Sequence, residues 1–253
     1  MKAKCNLCQE IKPLQKNCHV IPEFLYRDNK LFHSNHNLVK LNLAEFITNR
    51  HKKIVSHKQK SGEYDKYTLC PDCDKKIIGA YESYAREFLY AKKLPYSIQP
   101  IYSDKGKYLL VENVDYLKLK LFYLSILWRA SISSRETFSE IKLEESIQDD
   151  IRKMILLGEA KSEKTYPIFL MSSIYDRRIT KDYLIQPIPL KIAKEDAFIF
   201  PIGGILLFIS LSMDSFPEEL QNIILKENST IKILKIPTNE TWDLISHIYK
   251  TTP

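Results

Sequence analysis

No cysteine follows Cys73 in this 253-residue chain, so any thiol chemistry belongs to its beginning. No apolar run approaches the ~18 residues that a membrane span needs. The nearest, Leu121 to Trp128, is interrupted by Ser125 and follows Lys118 and Lys120. The first residues, Met1-Lys2-Ala3-Lys4-Cys5, lead into no apolar signal segment, which argues against an oxidising compartment and against structural disulfides. The opening stretch also lacks the βαβ pattern that a thioredoxin-like redox pair would need. There is no internal repeat and no low-complexity segment. These absences predict a cytoplasmic, membrane-free protein. An apolar content of 44 % with 11 % aromatic residues is that of a globular chain, large enough for one sizeable core or two modest ones.

What is present is concentrated at the front. Two Cys-x-x-Cys pairs, Cys5-Asn6-Leu7-Cys8 and Cys70-Pro71-Asp72-Cys73, can each grip a metal ion from a tight knuckle. Together they complete a tetrahedral thiolate set, the arrangement Zn²⁺ prefers, with Zn–S bonds of about 2.3 Å. The spacing predicts one structural Zn²⁺ held by Cys5, Cys8, Cys70 and Cys73. Cys18 falls outside both pairs and reads as a small, buried, inert thiol.

Charge is unevenly placed. Residues 1–94 carry 18 Lys and Arg against 10 Asp and Glu, and the remainder 20 against 21, so the net +7 belongs to the cysteine-bearing part. Its densest stretch is Arg50-His51-Lys52-Lys53-Ile54-Val55-Ser56-His57-Lys58-Gln59-Lys60. A patch of this kind draws phosphate backbones by counterion release. Arg50, Lys52, Lys53, Lys58 and Lys60 are therefore candidate nucleic-acid contacts, with a merely solvated loop as the alternative.

The pattern along the chain predicts an α+β protein. A knuckle and a short strand near 17–20 precede a polar, basic stretch over 31–69, with a second short strand near 64–69. Ile77, Tyr81, Tyr84, Ala85 and Phe88 then recur at helical spacing, and Pro95 ends the helix. Knuckle, short hairpin and a helix carrying the second cysteine pair make a treble-clef-like (ββα-like) module over residues 1–95. Residues 96–253 read as an α+β region of helices and antiparallel strands. It has a strand at 107–112, a buried helix over 114–134 and an amphipathic helix over 144–157 ending near Gly158. Strands follow at 166–173, 183–191, 197–201, 205–211 and 230–236, the pair at 197–201 and 205–211 joined through Gly203-Gly204, and a last helix runs over 239–249. Two structural units are expected, cut near Pro95, and the helix over 114–134 is apolar enough to require cover, which a core shared between them could give.

Cys5 and Cys8, then His19-Val20-Ile21-Pro22, then Leu69-Cys70-Pro71-Asp72-Cys73 entering a helix resembles the HNH endonuclease superfamily over about the first 90 residues. More narrowly, three features resemble a set of uncharacterised bacterial Ser-His-Ile-Ile-Pro proteins. They are Cys18-His19-Val20-Ile21-Pro22-Glu23-Phe24, the Cys70 pair, and Leu124-Ser125-Ile126-Leu127-Trp128-Arg129; those proteins typically also carry a glutamate on the helix after the second pair. The HNH resemblance implies a metal-dependent nuclease acting on DNA or RNA, and by analogy a role in defence against phage. His19 would be the general base, and Asp74, in place of the family's last histidine, a ligand to catalytic Mg²⁺ or Mn²⁺. The chain departs from the family at Cys18, where an acidic ligand belongs, and at Asp65, Lys66 or Tyr67, where an asparagine belongs. His33, His36, His51 and His57 lie in the inserted stretch and could supply a missing ligand. For His19 the alternative role, weighted equally, is to brace the knuckle. Glu82 reads either as an acceptor that braces a site residue from behind or as the i,i+4 partner of Arg86, the second being expected, and Trp128-Arg129 as core packing with an edge salt bridge. Three classes of function compete: a nuclease, a catalytically degenerate zinc-stapled nucleic-acid-binding protein, and a protein-interaction module with its partner on the C-terminal region.

Overall fold

The computed structural model describes residues 1–28, 38–40, 57–59, 62–91, 96–103, 106–172, 187–202, 204–236, 240, 243–244 and 247. These form a mixed α+β structure. Strands β1 (Lys2–Lys4) and β2 (Ile11–Pro13) pair antiparallel around the first cysteine knuckle. Strand β3 (Cys18–His19) leads into the short helix α1 (Glu23–Asp28). Strands β4 (Leu38–Lys40) and β5 (His57–Gln59) pair with each other. Strand β6 (Tyr64–Asp65) returns to β3, setting Cys18 opposite Asp65 and His19 opposite Tyr64. The second cysteine pair opens a helix that begins as a π-helical stretch, Asp72–Ile78, and continues as α2 (Gly79–Tyr90).

The rest is a sheet with helices on it. Its strands are β7 (Ser97–Ser103), β8 (Gly106–Glu112), β9 (Ile168–Ser172), β10 (Ile188–Ile192), β11 (Glu195–Ile202), β12 (Ile205–Ser210) and β13 (Ile231–Lys235). Their order is β10-β11-β12-β9-β13-β8-β7, antiparallel throughout except where β13 runs parallel to β9. The expected strands are there among the described residues, residues 173 and 183–186 of two of them lying outside that set, and β7 is an addition. Its sequence, Ser-Ile-Gln-Pro-Ile-Tyr-Ser, holds a proline, which an edge strand tolerates because its outer N–H groups need no partner. The hairpin through Gly204 is formed as its flanking apolar runs suggest. Residue 203, most of the expected last helix and the 92–95 stretch containing Pro95 lie outside the described residues.

Helix α3 (Tyr116–Ser131) is the centre of the molecule. Asp115 caps it, accepting from the Lys118 N–H at 3.0 Å. Every residue from Leu119 to Ala130 is buried, as an all-round apolar helix must be. Against it pack α2 and α4 (Glu145–Leu157), the latter closed by Gly158 in the left-handed region at φ 70°. A 3-10 turn, Glu136–Phe138, joins α3 to α4, and the short α5 (Glu218–Gln221) precedes β13.

The sheet's alternating side chains divide between two clusters. Phe198, Phe200, Leu207 and Ile209 face the helices, whereas Ile199, Leu206 and Phe208 join Phe169 and Phe216 on the other side. The helix-side core is continuous from Cys5 to Ile233, so the stretches on either side of residue 95 share one interior. Phe24 meets Phe122 at 5.9 Å between ring centroids, and the Tyr81 hydroxyl donates to Ile155 O at 3.0 Å. Arg152 Nη1 donates to Leu7 O at 2.7 Å. No helix among the described residues is long and apolar enough to cross a membrane.

Helix α3 also buries a lysine. Lys120 Nζ donates to Ser162 O at 2.6 Å and Tyr116 Oη at 2.9 Å. Burial lowers its pKa to about 7, against the opposing pull of Glu227 and Glu163. Between about pH 7 and its ordinary value near 10.5, the unfolded chain therefore holds a proton that the folded chain has released. Stability rises with pH in that window. Urea midpoints measured from pH 7 to pH 10 should climb for the wild-type protein and stay flatter for Lys120→Met. A wild-type midpoint that falls across this range would contradict the assignment.

Candidate metal centre and adjoining notch

The four paired cysteines meet. The Sγ atoms of Cys5, Cys8, Cys70 and Cys73 all lie within 4.8 Å of one another. A tetrahedral Zn²⁺ with Zn–S bonds of about 2.3 Å requires sulfur separations of about 3.8 Å, so the donor set and its size both fit zinc. The first knuckle is a tight turn. Cys5 N–H donates to Glu10 O and Gln9 N–H to Cys5 O, each at 2.9 Å, with Gln9 in the left-handed region at φ 64°. The second pair docks onto it when Cys70 N–H donates to Cys5 Sγ at 3.3 Å.

The thiols respond to one another. Burial works against the Cys5 thiolate, but N–H groups of Cys70, Cys8 and Leu7 outweigh it and hold this thiol below its ordinary range. Burial raises Cys8, and burial together with the neighbouring sulfurs raises Cys73 far above the usual value. A cluster that cannot ionise fully by itself is the electrostatic setting that a divalent cation relieves. Among the described residues this quartet is the only group of three or more His, Cys, Asp or Glu placed to hold a metal ion.

Beside the quartet lies a shallow notch lined in part by Cys18, His19, Asp65, Thr68, Leu69 and Arg129. Cys18 is buried, its Sγ 3.9 Å from both Gln15 O and Leu69 O, and burial pushes its pKa up. It is a neutral, hydrogen-bonded thiol outside the quartet. Asp65, opposite it, accepts from Ser134 Oγ at 2.9 Å. Glu63, also buried, accepts from Arg135 Nε at 3.1 Å and Thr137 Oγ1 at 3.2 Å. The segment after α3 thus clamps β6 in place. His19 is half-buried, and its ring stands edge-on to Tyr64 with centroids 6.3 Å apart. Asp74 sits in the π-helical turn, whose wider winding is closed by Gly79 N–H donating to Asp74 O. Burial raises the Asp74 pKa, while Arg129 and His19 favour its charged form and Glu82 opposes it. His19 and Asp74 are thus within electrostatic reach of each other, and Asp74 within reach of Arg129.

Arg129 organises the site. Its Nη1 donates to His19 O and to Glu82 Oε1, both at 2.8 Å. Its Nε donates to Ser125 O at 3.1 Å and its Nη2 to Ser125 Oγ at 3.2 Å. At 4 % exposure it is no edge residue, and Glu82 is its ionic partner. The expectation of an edge salt bridge at Arg129 is therefore corrected. An arginine within an otherwise apolar buried run was the available signal, because a buried guanidinium must find an acceptor for most of its N–H groups. His19, Glu82, Ser125 and Arg129 thus form one hydrogen-bonded network.

Arg50, Lys52, Lys53, Lys60, His33, His36 and His51 lie outside the described residues. Lys58 and His57 are described only through the backbone pairing of β5. No protein-family model, curated protein or solved structure matches this chain.

Proposed function

We propose that this protein is a zinc-stapled nuclease of the HNH type, acting on DNA or RNA, whose knuckle, β3–β6 pair and second-knuckle helix make a treble-clef module. The observation that carries the reading is His19, half-buried at the notch on the strand that follows the first knuckle, with Asp74 in electrostatic reach and Arg129 bonded to its carbonyl. In this reading His19 takes the proton from an attacking water, the water oxygen bonds to phosphorus, and the bond to the leaving oxygen breaks. Asp74 offers one carboxylate to Mg²⁺ or Mn²⁺, which commonly bind through one or two carboxylates and complete their shell with water and phosphate oxygens. Such an ion supplies charge neutralisation at the leaving oxygen. The C-terminal α+β region provides the wall that holds His19 and a surface for a protein partner.

A second reading, a catalytically silent zinc-stapled protein that binds nucleic acid or protein, is favoured by one observation. The position where an acidic ligand belongs holds a buried neutral thiol.

Nicking of plasmid DNA and cleavage of a generic RNA with Mg²⁺ or Mn²⁺ decide between them. His19→Ala should lower the rate about 10²–10⁴-fold with unchanged zinc content. A wild-type protein inert toward both substrates selects the second reading.

A further inference from the structure

Tyr67 is an exposed aromatic residue on an unfavourable backbone. Its backbone is in the left-handed region at φ 57°, an uncommon state for a bulky side chain. The chain is held there because Tyr67 N–H donates to Gln15 O at 3.0 Å, joining the two knuckles. The residue is nevertheless 38 % exposed. Tyr166 makes an instructive contrast: also left-handed, at φ 49°, it is buried and its hydroxyl donates to Asp150 Oδ2 at 2.9 Å. The Tyr67 hydroxyl makes no hydrogen bond among the described residues. A glycine or asparagine would fit its backbone better.

Its surroundings point to a ligand with negative charge. Thr68 and Leu69 on one side of it in the chain and Asp65 on the other line the notch, so Tyr67 lies on the segment that bounds the notch. Lys66 precedes it, and Lys16 follows the Gln15 to which it is bonded; both lysines are exposed. Neither forms an ion pair among the described residues, and the knuckle carboxylates Glu10 and Asp72 are taken by Lys12 and Lys76. The carboxylates of Asp65 and Glu63 are turned inward and satisfied by hydrogen bonds. Two exposed lysines, one beside Tyr67 in the chain and one beside its partner Gln15, thus accompany one exposed ring.

We propose that this surface binds single-stranded nucleic acid, with Tyr67 stacking on a base and Lys16 and Lys66 contacting phosphates. This rests on the nucleic-acid reading above and gives it a substrate form. A cationic surface with an exposed aromatic ring suits a single strand, whose bases offer free π-faces, whereas the bases of a duplex are already stacked. An acidic protein segment would use the lysines but has no need of the ring.

The test is fluorescence anisotropy with the full-length, zinc-loaded protein, no added divalent ion, and labelled oligo-dT, oligo-U and a mixed-sequence duplex of equal length. Both single strands should bind more tightly than the duplex. Tyr67→Ala should weaken single-strand binding about 5- to 100-fold, and Tyr67→Phe should retain it. Tyr67→Asn, which suits the left-handed backbone, should weaken it equally while keeping zinc content and melting temperature, which separates loss of stacking from loss of fold. Lys16→Met with Lys66→Met should flatten the salt slope by about 1.4, at about 0.7 for each phosphate no longer neutralised. Equal binding of duplex, unchanged affinity in Tyr67→Asn, or no binding of either strand by the wild-type protein would each overturn the proposal. Strand binding by a wild-type protein that cleaves neither DNA nor RNA once Mg²⁺ or Mn²⁺ is supplied would sink the His19 chemistry and support this surface.

Discussion

Replacing Cys70 with serine is expected to release the zinc and unfold the front of the molecule. Zinc in small thiolate sites contributes about 10–16 kcal/mol of apparent folding free energy, as much as the roughly 5–15 kcal/mol that holds a whole domain together. Cys5, Cys70 and Cys73 are almost fully buried, so serine would also place a hydroxyl where a thiolate met a cation. The damage should spread beyond the knuckles, because Leu7 is held by Arg152 of α4 and Tyr81 by Ile155. Elemental analysis should find about one zinc per wild-type chain and far less in Cys70→Ser, with a large drop in melting temperature. Acid should release the metal, since burial raises the thiol pKa values of Cys8 and Cys73 and the ligands must be deprotonated to bind. A wild-type protein that melts at the same temperature before and after chelation would refute the zinc assignment.

Arg129→Met should be the most damaging substitution outside the quartet, costing about 3 kcal/mol, near the lower end of what breaking a buried ion pair costs. The lower end applies because the Glu82 side chain keeps 26 % of its exposure. The substitution strands the Glu82 carboxylate and leaves His19 O without its donor. Glu82→Gln combined with Arg129→Met should cost less than the two single changes added together, because the uncompensated charge is gone. Arg129→Lys should not restore the wild type, since one ammonium cannot reach Ser125, Glu82 and the β3 carbonyl at once. Urea midpoints across the four proteins measure this directly. Full additivity would mean that Arg129 and Glu82 act independently.

Much of the fold is legible in the chain itself. Cys-x-x-Cys spacing fixes which sulfurs can share an ion, since two thiolates on one knuckle face the same point. The period of Tyr81, Ala85 and Phe88 marks the buried stripe of α2, and those residues are buried. The unbroken apolar run over α3 announces a helix covered on all sides. Local chemistry supplies these signals, and local chemistry is what a linear reading sees. The β7 edge strand escapes such a reading because its side chains do not alternate clearly and Pro100 interrupts it.

Each Cys-x-x-Cys knuckle, the three long helices and most of the strands thus follow from residue order alone, because each depends on neighbours within a few positions or on a spacing that local geometry sets. What Arg129 does depends instead on the assembled fold. Its partners lie on β3, on α2 and one turn back on its own helix, and the link to His19 spans 110 positions. A buried guanidinium must be satisfied, but which acceptor satisfies it depends on how α3 crosses α2. Likewise the pairing of Cys18 with Asp65, and the bond that sets Tyr67 beside Gln15, follow from strand register and knuckle docking. Register is fixed by which faces the whole core buries, and no local stretch of sequence holds that information.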